Sequence, residues 1–81
     1  MKAEAKKLTT LDEIKEELKL GNTIHCAFIQ SGTIGTILGL KDVKTNPLVK
    51  IRIWGETCWF DYDKVISKAS ISSYSSSPFN I

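Results

Sequence analysis

Leu48–Asp61, LVKIRIWGETCWFD, alternates apolar and polar side chains on both sides of a Gly-Glu dipeptide. Successive strand residues point to opposite sides of a sheet, so the segment has the pattern of a β-hairpin. With Gly55-Glu56 as a two-residue Gly-X turn of type II′, Trp54 faces Thr57, Arg52 faces Trp59 and Lys50 faces Asp61. Ile53 then meets Cys58 and Ile51 meets Phe60, with Val49 continuing that apolar row. The pattern implies an apolar inner face and an outer face of cations and indoles.

The segments on either side define the rest of a small β domain. Thr10-Leu11-Asp12-Glu13 matches a capping box, with Thr10 as N-cap and Glu13 reaching back. Leu11, Ile14 and Leu18 fall on one helical stripe, Lys15, Glu16, Glu17 and Lys19 are expected in water, and Gly21 is placed to end the helix. Thr23–Ile29 alternates as a strand, with Ile24, Cys26 and Phe28 on one face. Gln30-Ser31-Gly32 has the composition of a turn, and 33–40 forms a second strand interrupted by Gly35 and Gly39. Glycines inside a strand mark a bulge or a close backbone approach. A polar loop, 41–47, precedes the hairpin, and Asp61-Tyr62-Asp63-Lys64 follows it as one tight helical turn. Val65–Ser72 can supply a last short strand, with Val65 or Ile66 buried. The expected division is a flexible N-terminus (1–9), an amphipathic helix (10–21), a barrel (22–69) and a mobile serine-rich tail (70–81) in which Tyr74, Phe79 and Ile81 are alternative docking residues.

A chain of 81 residues with 42% hydrophobic content fits one domain close to the size limit for an unassisted core. A formal charge of +2 is too small to select a nucleic-acid partner by itself. Cys26 and Cys58 both fall at expected inward positions, as reduced thiols that pack like small hydrophobes or, if their strands are neighbours, as a bridge. Two cysteines without a ligand-spaced His or Cys make no zinc motif. The first residues are not followed by an apolar run, and none of the chain is apolar for long enough to form a membrane helix. These features fit a cytoplasmic protein without a membrane or cofactor requirement.

No residue set points to catalysis. His25, the only histidine, lies on the polar face of its strand as a solvated residue. Asp61 and Asp63 are two apart, a spacing compatible with a metal, but cross-strand pairing of Asp61 with Lys50 and capping by Asp63 account for them. Binding is the better class. Lys50, Arg52, Trp54 and Trp59 form the candidate surface, extended by Lys64. Exposed tryptophan beside arginine is typical of protein-interaction hot spots. Aromatics interleaved with cations also suit single-stranded nucleic acid. The third alternative is that the helix packs across this face and buries both indoles.

One helix, about five short strands and a tight turn before the last strand suggest a mainly β fold, an SH3-like small barrel. Gly21-Asn22-Thr23-Ile24, Gly32-Thr33-Ile34-Gly35-Thr36-Ile37 and Val49-Lys50-Ile51-Arg52-Ile53-Trp54-Gly55 together resemble the KOW-type SH3-like domain of ribosomal proteins and transcription elongation factors. Asp61-Tyr62-Asp63-Lys64-Val65 resembles its turn and closing strand, so the resemblance covers about Gly21–Lys68. It implies RNA or DNA binding in a nucleoprotein assembly, with Lys50, Arg52, Trp54 and Trp59 as contacts. An N-terminal helix before a bent sheet is also similar to Sm-like RNA chaperones. Without either resemblance, the surface implies a protein-interaction module or small accessory or inhibitor protein of the kind phages and mobile elements encode.

Overall fold

Thr10 starts the first helix, α1 (Leu11–Leu20), with both halves of the capping box formed. Its side chain accepts from the Glu13 N–H at 3.2 Å, and Glu13 accepts in return from the backbone N–H groups of Thr9 and Thr10. Gly21 ends the helix in the left-handed region at φ 79°, where a Cβ is penalised. The computed structural model describes residues 5–74. In chain order its elements are β1 (Lys6–Leu8), α1, β2 (Thr23–Phe28), β3 (Ile34–Lys41), β4 (Leu48–Ile53), β5 (Glu56–Asp61), α2 (Tyr62–Lys68) and β6 (Ala69–Tyr74).

All six strands belong to one antiparallel sheet in the order β1-β6-β2-β3-β4-β5. Strands β2 to β5 form a continuous meander, and α2 returns the chain so that β6 inserts between β1 and β2. The sheet curls, since Phe28 of β2 reaches Phe60 of β5 with ring centroids 6.3 Å apart. It does not close, because β1 and β5 remain edges among the described strands. Strand content is therefore higher than the five-stranded expectation, with β1 as an added edge.

Gly35 and Gly39 do the two jobs expected of strand glycines. At Gly35 a Cβ would lie 2.6 Å from Ile51 Cγ2 and 2.8 Å from Ile53 Cγ1, so the glycine lets β4 side chains cross the strand. At Gly39 the register shifts between Ile37 and Gly39, a bulge that bends β3.

The inner face holds the core. Leu8, Ile14, Ile24, Cys26, Ile37, Val49, Ile51, Val65, Ala69 and Ile71 are buried together, with Phe28, Leu40, Ile53 and Phe60 packed at the margin. α1 docks through Ile14 against the β2–β3 region. Each fully buried Leu, Ile or Val side chain contributes about 1.5–3 kcal/mol relative to exposure.

Four expectations are corrected. The last strand, expected within Val65–Ser72, runs Ala69–Tyr74 as β6 with Ala69, Ile71 and Ser73 buried in alternation, so Ser70–Tyr74 does not belong to a mobile tail. Pairing on both sides satisfies its backbone, and small serines fit a tightly flanked strand where composition alone argued for disorder. The rest of that tail, 75–81, lies outside the described residues, as do Phe79 and Ile81. Lys6–Leu8, assigned to a flexible N-terminus, is β1, anchored by buried Leu8. The turn after the hairpin is the two-turn helix α2, with Val65 buried on it rather than on a strand. Glu17, expected in water, is 4% exposed. Asn22 Nδ2 donates to it at 2.7 Å, Lys6 Nζ at 3.5 Å, and the Ser73 hydroxyl also bonds it. The burial is possible because these donors hold the carboxylate in its charged form.

Candidate binding surface

The β4–β5 ribbon turns one residue earlier than its glycine-first reading. Ile53 pairs with Glu56, and Trp54-Gly55 forms the two-residue turn. Both central residues have positive φ, 55° for Trp54 and 81° for Gly55, which is the type I′ rather than the type II′ pattern. All pairings shift by two. Arg52 therefore faces Thr57, Lys50 faces Trp59, and Asp61 faces Leu48. Because the shift is even, each side chain keeps its expected face. Hydrophobic alternation fixes that parity but does not distinguish registers two residues apart.

The surface is assembled around Trp59. Lys50 comes from β4 directly opposite, with Nζ 5.9 Å from the ring centroid. Lys41, the last residue of β3, places its Nζ 4.6 Å from the same centroid. Such contacts contribute about 0.5–1 kcal/mol each at exposed sites. Lys41 was assigned to a polar loop, and its role here was not read from the sequence. It depends on the β3 bulge and on β4 lying between it and Trp59, which are both non-local. The cation partner of Trp59 is thus a lysine pair rather than Arg52.

Trp54 projects from the turn with 88% of its surface exposed, and Trp59 is 41% exposed. Helix α1 does not cover either indole, which overturns the alternative in which the helix packs across this face and buries both. Exposed Ile34 and Leu38 add apolar area on β3. Arg52 is exposed between Thr36 of β3 and Thr57 of β5. Among the described residues no carboxylate lies within 4.0 Å of Lys41, Lys50 or Arg52. Lys64 differs, because it stands on α2 and pairs with Asp61 at 3.7 Å. Asp61 is also the α2 N-cap, without a side-chain capping bond. Asp61 therefore answers Lys64 rather than Lys50.

The remaining candidate groups do not converge on a reactive centre. His25 is half-buried on the outer face and packs on Tyr74 with ring centroids 4.9 Å apart. Cys26 is buried, and the low dielectric pushes its thiol up to about 11. Cys58 is exposed, which corrects its expected burial: on edge strand β5, near the hairpin tip, neither face is covered. Both thiols are free. Among the described residues no group of three His, Cys, Asp or Glu is arranged to hold a metal ion, and no helix is long and apolar enough to cross a membrane. Compared with protein-family models, curated proteins and solved structures, the chain matches none of them.

Proposed function

We propose that this protein is a non-enzymatic recognition module that binds a protein partner through Trp54 and the outer face of β3–β5. The observation that carries the proposal is Trp54 itself. A bulky residue at positive φ is sterically disfavoured by about 1–2 kcal/mol, and Asn, Asp or Gly are the usual occupants of such a turn. A large indole held there and left 88% exposed has no role in the core. Strain of this kind concentrates where function requires it.

Two features favour a protein over nucleic acid. The Lys41 ammonium already lies over the Trp59 ring, where a base would stack. Exposed Ile34 and Leu38 offer aliphatic contact that a phosphate backbone does not use. Lys41, Lys50 and Arg52 then select a partner with acidic residues around an apolar patch. The meander, the short helix before the last strand and the curl joining Phe28 to Phe60 support an opened SH3-like barrel as the underlying scaffold. Two unbridged thiols accord with a cytoplasmic location.

The test compares wild-type protein with Trp54→Ala in pull-downs from nuclease-treated lysate, followed by titration of the retained protein. The expected result is one stoichiometric partner whose affinity falls at least tenfold for Trp54→Ala at unchanged melting temperature. Tight binding of a single-stranded oligonucleotide, weakening steeply with salt, overturns the reading in favour of nucleic acid.

A further inference from the structure

The two edges of the sheet are not alike. β1 is three residues long and carries Lys6 and Lys7, the short and charged form that discourages strand addition. β5 spans six residues, contains no proline, lysine or bulge, and is exposed on both faces from Glu56 to Trp59. The two-residue turn makes Ile53–Glu56 a hydrogen-bonded pair. Alternation along the ladder then turns the N–H and C=O of Thr57 and Trp59 toward the open side.

We infer that β5 pairs antiparallel with β5 of a second copy of this chain, joining two sheets across a two-fold axis at Cys58. This contact uses the backbone of β5 at the sheet edge, and the Thr57 and Trp59 side chains of that strand border the face assigned to a partner above. Of the two-fold registers that bring outward groups together, this one pairs Thr57 with the second copy's Trp59 and Cys58 with its own counterpart. Moving the axis to Trp59 would drive Glu56 against the second copy's Tyr62, the first residue of α2. With the axis at Cys58, the strands end before that helix.

Charge supports the same arrangement. β5 carries Glu56 and Asp61, the latter paired with Lys64 of α2, and no cation, whereas among the described residues Lys41, Lys50 and Arg52 have no carboxylate within 4.0 Å. In the proposed register Glu56 meets the second copy's Phe60, so acidic groups are not opposed. Asp61 of the second copy comes beside Gly55, on the side toward Arg52. A two-fold interface is self-complementary in this sense.

Light scattering during size exclusion, over increasing protein concentration, should show the molar mass doubling. A short bismaleimide should link two copies through Cys58, since Cys26 is buried. Cys58→Ser should abolish the link and retain the dimer. Thr57→Pro removes an outward N–H without removing a β4 bond, and should abolish both link and dimer while the circular dichroism spectrum persists. If that variant fails to fold, Thr57→Lys, which places charge at the seam, should give the same monomer. A wild-type monomer at millimolar concentration, or a dimer indifferent to both Thr57 substitutions, overturns the inference. A monomer that still binds its partner through Trp54 overturns the edge contact alone.

Discussion

Lys50 stands directly opposite Trp59, and Lys41 reaches the same indole from two strands away at 4.6 Å. The pair surrounds a half-exposed ring with positive charge. In a Trp54→Phe background, where Trp59 is the only indole, iodide should quench fluorescence more strongly than caesium. Replacing Lys41 and Lys50 with glutamine should equalise the two ions, as read from Stern–Volmer slopes.

Trp54→Asn supplies the residue that a type I′ turn prefers before glycine. Relief of the positive-φ strain should raise stability by about 1 kcal/mol, measured by urea denaturation. The same variant should lose partner affinity, so stability and binding move in opposite directions.

The two glycines of β3 should respond differently to alanine. A Cβ at Gly35 meets Ile51 and Ile53 at under 3.0 Å, so Gly35→Ala should destabilise by about 1–3 kcal/mol through overpacking. Nothing lies within 4 Å of a Cβ at Gly39, and its φ is not positive. Gly39→Ala should be neutral to slightly stabilising, by up to about 1 kcal/mol. Thermal melts of both variants check the contrast.

Glu17 links α1 to β1 and β6. The Asn22 amide, then the Ser73 hydroxyl, hold its carboxyl below the ordinary carboxylate range against the opposing effect of burial, with a smaller contribution from Lys6. A depressed folded pKa gives stability that is present above the unfolded value, about 4.3 for Glu, and is lost as pH falls through the folded one. Glu13, depressed mainly by the Thr9 and then the Thr10 backbone N–H, adds to the same loss. Stability should therefore decline as pH falls from the ordinary carboxylate range toward the lower folded values, and Glu17→Gln should flatten that limb of the profile. Chemical denaturation at a series of pH values reads the change.

The thiols should be kinetically distinct. Cys58 is exposed and Cys26 is buried, with its pKa raised to about 11 by desolvation. A disulfide reagent at mildly alkaline pH should titrate Cys58 at once and Cys26 only after denaturant is added. Prompt reaction of both would show that the core opens readily at β2.

Local signals in the sequence located much of this molecule. Thr10, Glu13 and Gly21 define α1 through bonds among near neighbours, so four-residue patterns suffice. Alternation assigned Ile24, Cys26, Val49 and Ile51 to the interior, where they are buried. It also placed both indoles outside. The hairpin register was not legible, because parity tolerates a shift of two and Trp54 was an unexpected occupant of a left-handed position. A last strand was legible as far as Ser72, but its extent was obscured because serine composition reports solubility, whereas the order of β6 comes from two flanking strands distant in sequence. Glu17 and Lys41 were missed for a related reason. Their partners, Ser73 with Lys6 and Trp59, are brought to them only by the completed sheet.

β6, made after the hairpin, is the strand between β1 and β2. During synthesis, β2 therefore emerges with one side vacant and waits until Ala69–Tyr74 has been made. The nascent protein cannot finish its middle until after its hairpin is out, which exposes a pairing-competent strand in the interval. Premature termination before Ala69 would leave that vacancy permanent. Such fragments should be recognised by chaperones or deposited as aggregate rather than persist as a smaller native domain.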